Sequence, residues 1–347
     1  MRRRKTLKNR NFNRNKSKKG GYGLKTKKSR KSHKGHKSHK KTLKKSFVKL
    51  NCSPENHNKA LNSFTCYSDE DLHKLRDLWN ARHPDRPIQT NDSKEIWETI
   101  KSYYQTTCNK ESCWIKQIVK NPKLEKELMD SFAPESPDDW KKNPNEWLSS
   151  VDIMQVMSQY EKKYKCFDFM GPSPIDYDTH KLYGECVWEE LCHFNLADQI
   201  KNGKTKIGIV FNTDPHYKGG SHWISLFINI KKGTIFFFDS AGDKIPDQIM
   251  KFVNNIIEQG HALDKRIDFK FDQNHPVEHQ YGNTECGIYS LFFIVHMLED
   301  KITSHYLKTH VLKDVHNASI VKVLLKGRSQ RSSRCRPGIC ASPRKPS

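Results

Sequence analysis

The chain has 347 residues, with 62 Lys or Arg against 39 Asp or Glu and a formal net charge of +23. That length allows one large or two ordinary domains. No run approaches the ~20 consecutive apolar residues needed to cross a membrane, and the first residues do not read as a signal peptide. The charge is unevenly placed. Residues 1–50 carry 22 Lys or Arg and no Asp or Glu, residues 326–347 add seven more basic residues, and 51–325 holds 33 basic against 39 acidic. A mildly acidic centre therefore carries two basic ends.

Residues 1–50 have no apolar periodicity and repel themselves electrostatically, so they are expected to form a disordered polybasic arm. Its natural partner is a polyanion, above all nucleic acid, held through phosphates with little sequence preference; the alternatives are a solvated tail or a nuclear-import signal. A helical subdomain is expected over 51–140. Ser68, with Asp71 three residues on, signals a helix start, and Leu72, Leu75, Leu78 and Trp79 recur at helical spacing up to Pro84. A second helix is predicted from about Asp92 to Tyr104, followed by shorter ones near 112–119 and 123–132.

A second domain is expected over 141–310. It begins with Trp147-Leu148 and a helix near 151–162, then a loop containing Pro172 and Pro174, then a helix near 187–199. Strands follow at Lys206–Asn212, Trp223–Ile230 and Thr234–Asp239, the last two joined by the short turn Lys231-Lys232-Gly233. A helix over about 246–258, a strand at Ile267–Phe271 and a strongly apolar helix at Cys286–Leu298 complete the pattern. This mixture predicts an α+β fold with a central mixed sheet flanked by helices. Residues 311–347 read as a basic tail.

The ten cysteines are irregularly spaced. Without a secretory signal they suit a reducing compartment, most of them acting as small buried hydrophobes. The pairs Cys108/Cys113, Cys186/Cys192 and Cys335/Cys340 do not have the usual short spacing of zinc ligands, so no metal is expected.

The chemistry lies in an ordered set: His222-Trp223, Asp239-Ser240, Gln280 and Cys286-Gly287. Thiol-based peptide hydrolysis needs a cysteine nucleophile, an imidazole to take its proton, a carboxylate to hold the imidazole and an amide for the oxyanion. If the strands on either side of Lys231–Gly233 pair as a hairpin, the start of one falls beside the end of the other, and Asp239 meets His222. Cys286 opens a helix, whose dipole favours a thiolate. Its backbone N–H and the Gln280 side chain could then receive an oxyanion. Gly287 would leave room for substrate. Each residue alone has a plain structural reading; the conjunction of types, order and placement points to a cysteine hydrolase.

These residues resemble the SUMO-protease and adenovirus-protease type of cysteine peptidase, over about 147–300. The residue before the cysteine is Glu285, where such enzymes more often have Asp. More narrowly, LRDLWNARHPDRPI (75–88), CNKESCWIKQ (108–117), WLSSVDIMQVMSQYE (147–161), FMGPSPIDYD (169–178) and NTDPHYKGGSHW (212–223) resemble thiol proteases of nucleocytoplasmic large DNA viruses. The resemblance implies Cys286 as nucleophile, His222 as general base, Asp239 as orienting carboxylate and Gln280 as oxyanion donor. It also implies that Trp223 shields the imidazole and walls the substrate channel, and that Trp147 touches the extended substrate. It further implies cleavage after Gly-Gly or Gly-x-Gly, no cofactor, viral structural precursors as substrates, and a place in the virion and the host cytoplasm. The rival readings are a deconjugase for SUMO-like or ubiquitin-like modifiers and a nucleic-acid-binding virion core protein.

Overall fold

A computed structural model describes residues 52–56, 64–135, 143, 147–280, 282 and 284–312, all within the compact unit Lys45–Ser347. The polybasic arm 1–50 and the tail beyond Leu312 lie outside the described residues. Among those described, no helix is long and apolar enough to cross a membrane.

The helical part contains α1 (Asp69–Arg82), α2 (Ser93–Tyr104), α3 (Ser112–Ile118) and α4 (Pro122–Met129). The start signals act as expected: Ser68 and Asp71 form a reciprocal capping box, and Asp92 accepts from the Glu95 N–H. Leu72, Leu75, Trp79, Ile96, Trp97, Ile100 and Trp114 share one buried cluster. Glu111 is buried within it, accepting from Thr65 Oγ1 at 3.0 Å, Cys66 N at 3.1 Å and Trp97 Nε1 at 2.6 Å. Burial raises its carboxyl above the ordinary range, opposed by those three donors.

The expectation of mostly unpaired thiols is corrected. Disulfides join Cys52–Cys66, Cys108–Cys113 and Cys186–Cys192, whose Cα atoms stand 5.1, 5.7 and 6.3 Å apart. These separations lie within disulfide reach, a property of the fold rather than of spacing along the chain. Cys166 and Cys286 are free.

The second part is built on a five-stranded sheet in the order β1 (Phe167–Pro174), β2 (Lys206–Asn212), β3 (Trp223–Asn229), β4 (Thr234–Phe238), β5 (Lys270–Gln273). β1–β2 and β4–β5 are parallel, and β2–β3 and β3–β4 antiparallel. The sheet is thus mixed, as expected. β1 was expected as loop because of its prolines; it is an edge strand with an irregularity between Met170 and Ser173, which is where a sheet tolerates proline. The predicted helix near 187–199 is two short ones, α6 (Glu189–Cys192) and α7 (Leu196–Lys201). Asn195 breaks the run by capping α7 through its side chain.

Side-chain alternation divides the sheet between two layers. Trp223 and Phe227 of β3, with Phe236 and Phe238 of β4, face α5 (Ser150–Lys163) and α9 (Cys286–Leu298). Ile224, Leu226, Ile228, Ile235 and Phe237 face α8 (Asp247–Ala262). Apart from its C-terminal turn, α9 is buried almost throughout, which explains why its sequence is apolar on every side. Gly208 of β2 lets α9 approach, since a Cβ there would lie 2.8 Å from Ile294 Cγ2. At the far end of α9, Lys206 Nζ donates to the Leu298 carbonyl at 2.7 Å and to Asp300 Oδ2 at 2.8 Å. A short helix, α10 (Ser304–Thr309), not expected from sequence, closes the described chain.

Candidate active site

The β3–β4 hairpin does what its sequence predicts. Ser225 pairs with Phe238, so the residue just before β3 stands beside the residue just after β4. His222 Nε2 lies 2.6 Å from Asp239 Oδ1. The carboxylate is almost fully enclosed, at 4 % exposure, and the imidazole partly so, at 19 %. Little water competes for the contact.

Asp239 is itself fixed. Its Oδ1 also accepts from Ala241 N at 2.8 Å. Asn274 holds its backbone from both sides, accepting from Asp239 N at 2.9 Å and donating to Asp239 O at 2.7 Å. Asn274 is fully buried and also donates to Val277 O at 2.8 Å. Sequence reasoning missed it, because an Asn in a Pro-containing loop is indistinguishable from an ordinary turn residue.

Cys286 is the first residue of α9 and is buried. No side chain caps this helix start, so its first N–H groups are left for another acceptor. The Cys286 side chain acts on the His222 imidazole together with Asp239, both raising its proton affinity. With Nε2 engaged by Asp239, Nδ1 is the nitrogen left for sulfur. Burial pulls the imidazole down, but the Asp239 and Cys286 contacts outweigh it and raise its pKa to about 10. The site thus favours an imidazolium at neutral pH, the partner a thiolate requires.

Gln280 is buried and comes to the same corner. Its Oε1 accepts from Ser240 Oγ at 2.7 Å. That contact fixes which way the amide points, because a hydroxyl donating to Oε1 leaves Nε2–H to face elsewhere. Backbone ties hold the segment in place: His279 N and Gln280 N both donate to Ser240 O, at 2.8 and 3.0 Å. Tyr289 OH of α9 donates to His279 O at 2.7 Å. Burial holds the His279 imidazole down at about 4, so it stays neutral behind the site. Ser240 was legible as Asp239's neighbour, but its hold on Gln280, 40 residues away, was not.

Trp223 is buried, and its Nε1 donates to Leu148 O at 3.0 Å. The indole therefore ties the segment before α5 to the sheet. Trp147, one residue earlier, is half-buried beside this contact. The expectation for Gly287 is corrected: a Cβ there would lie 3.1 Å from Leu148 Cβ and 3.2 Å from Trp223 Cδ1. The space is filled by the protein's own packing, not kept open for substrate. Ser290 Oγ, one turn on, donates to Trp223 O at 3.3 Å. His222 and Asp239 are thus in direct contact, Gln280 is tied to Ser240 beside Asp239, and Cys286 opens α9.

The model of the Ulp1 protease family, C-terminal catalytic domain, matches residues 203–323. The chain is a cysteine-type peptidase. A provisionally named thiol protease of Acanthamoeba polyphaga mimivirus is 28% identical over 295 residues, covering 77% of this chain and 91% of that protein. A cysteine protease of African swine fever virus is 26% identical over 238 residues, covering 63% and 85% respectively. The crystal structure of an African swine fever virus protease superposes with a TM-score of 0.55 at 21% identity, covering 80% of this chain and 96% of the other. That share of the chain exceeds residues 141–347, so the likeness in fold extends beyond the sheet-bearing part.

Proposed function

We propose that Cys286, His222, Asp239 and Gln280 are the working groups of a peptidase that cleaves after glycine-ended sites in viral structural precursors. The observation that carries this reading is the His222–Asp239 contact of 2.6 Å beside Cys286 at an uncapped helix start. Asp239 fixes the imidazole, and His222 holds the proton that leaves Cys286 as a thiolate. The thiolate attacks the scissile carbonyl. The oxyanion that forms faces the Cys286 backbone N–H and the Gln280 amide. His222 then gives its proton to the leaving amine, and water, deprotonated by the same imidazole, releases the acyl group. Trp223 closes the site behind His222, and Trp147 meets the substrate chain.

The polybasic arm, 22 Lys or Arg within residues 1–50, would hold the enzyme on packaged nucleic acid in the virion, after assembly in the host cytoplasm. A second reading has one specific support: some of the African swine fever virus relatives are named SUMO-1 cysteine proteases. Removal of a ubiquitin-like modifier uses the same four groups and differs in what docks outside them. Purified full-length protein, given Gly-Gly-x precursor peptides and modifier–fluorophore conjugates side by side, separates the two. Faster turnover of the peptides supports precursor processing; faster release of fluorophore from the conjugates overturns it in favour of deconjugation.

A further inference from the structure

Between β1 and α7 the chain has little regular structure of its own. It makes an isolated bridge between His180 and Cys186, a three-residue turn at Leu182–Gly184 and the four-residue α6. Buried Tyr177 anchors one end and buried Leu191 and Phe194 the other. What gathers this segment is a group of metal-ligating side chains that the peptidase site does not use. Ligand atoms of His180, Cys186 and Cys192 all lie within 4.8 Å of one another, and so do those of Cys186, Glu189 and His193. His180 Nε2 is 3.9 Å from Cys186 Sγ.

In the structure the two sulfurs form a disulfide. A disulfide needs two cysteines only, and explains neither imidazole. The surroundings fit a second state better. Two sulfurs and imidazole nitrogen are a ligand set of zinc type, and zinc–ligand bonds of ~2.0–2.3 Å place tetrahedral ligand atoms about 3.5 Å apart. Reaching that lets the two sulfurs part once their bond is reduced and draws His180 Nε2 slightly inward from 3.9 Å, in a segment whose short elements offer little resistance. Glu189 is already organised: Oε1 accepts from Cys186 N at 2.7 Å, and Oε2 pairs with His193 Nδ1 at 2.9 Å. A carboxylate bound to one nitrogen of a histidine is the usual device for aiming the other at a metal. His180 and His193 are exposed, giving an ion a path in.

We propose that, with the Cys186–Cys192 bond reduced, residues 180–193 bind one zinc ion through His180, Cys186 and Cys192, the fourth position being filled from the Glu189–His193 pair. The chemistry balances. A phosphine reductant and one water convert the disulfide to two thiols and a phosphine oxide. Zinc then displaces the two thiol protons, which pass to solvent. The segment is cross-linked in either state, by sulfur–sulfur when oxidised and by metal when reduced.

The test uses the full chain carrying Cys286→Ala, so that the candidate nucleophile cannot bind metal, kept reduced with a phosphine and titrated with Co²⁺. The expected result is tetrahedral cobalt absorption with thiolate charge transfer, saturating at one equivalent and displaced by zinc. Cys186→Ser with Cys192→Ser, which leaves every other cysteine except the substituted Cys286 in place, should abolish it. His180→Ala, on an exposed side chain, should weaken binding by about tenfold or more, the usual scale for a lost ligand or its support. In the unsubstituted segment, zinc should protect Cys186 and Cys192 selectively from alkylation, as mapped by mass spectrometry. No tetrahedral signal under reduction, a signal surviving the double Ser variant, or alkylation of both sulfurs undiminished by zinc overturns the proposal and leaves the pair as a disulfide alone.

Discussion

Replacing Ser240 with Ala tests the most specific feature of the site, because Ser240 touches no substrate in this account. Its hydroxyl donates to Gln280 Oε1 at 2.7 Å, and both residues are buried. Removing it leaves a buried amide oxygen without that donor, at a cost of about 1–3 kcal/mol. The amide then has less reason to keep Nε2 turned toward the oxyanion. Complete loss of one oxyanion donor costs about 100- to 1,000-fold in kcat. A donor that is misdirected rather than removed should cost about tenfold, or ~1.4 kcal/mol. KM should change little, since the contact matters in the transition state. The assay is steady-state cleavage of a Gly-Gly-x peptide by Ser240→Ala, Gln280→Ala and the double variant, with circular dichroism as a check on folding. The two changes should be strongly non-additive, Ser240→Ala costing almost nothing once Gln280 is gone. The reasoning fails if Ser240→Ala costs the same factor in both backgrounds, or if kcat stays within about twofold of the parent while Gln280→Ala is severely impaired.

Asp239→Asn removes the carboxylate that fixes and charges His222, and kcat should fall by about 100- to 10,000-fold as in other triads. The His222 pKa of about 10 sets the alkaline limit: cleavage by the parent should persist through mildly alkaline pH and fall as pH passes about 10. In Asp239→Asn that limb should move to lower pH, measured from kcat/KM profiles. The same shift has a stability sign. His222 is raised from 6.5 to about 10 by folding, so its contribution is complete below 6.5 and is lost as pH rises toward 10; melting temperature followed over that window should show a decline that His222→Ala lacks. Gly208→Ala would place a Cβ 2.8 Å from Ile294 Cγ2, and overpacking of this kind should cost about 1–3 kcal/mol by denaturant unfolding. Deleting residues 1–50 should abolish salt-sensitive DNA binding in a mobility-shift assay and leave peptide cleavage unchanged.

Local signals were legible where they are physically local. The Ser68–Asp71 capping box, the all-apolar Cys286–Leu298 helix and the hairpin that joins His222 to Asp239 follow from side-chain periodicity and turn chemistry. What escaped depends on distant partners. β1 looked like loop because proline penalises central strands, and only its place at the sheet edge makes Pro172 and Pro174 acceptable. The break between α6 and α7 turns on Asn195 preferring the cap of α7 to the interior of one longer helix. Asn274 and Ser240 support Asp239 and Gln280 from 35 and 40 residues away, and no spacing rule reports such contacts. Gly287 was misread for a related reason: a missing side chain announces empty space, and only the fold shows Leu148 and Trp223 filling it. The disulfides belong here as well, since Cα separation is decided by tertiary structure.

The central claim is that Cys286, activated by His222, is the nucleophile. Its most direct test is labelling of the full-length protein with a glycine-ended peptide electrophile, the modified residue being located by mass spectrometry. Labelling confined to Cys286, sparing Cys166, the other free thiol among the described residues, and lost in His222→Ala, is the expected result. Labelling spread over other cysteines, or undiminished at Cys286 in His222→Ala, would contradict it.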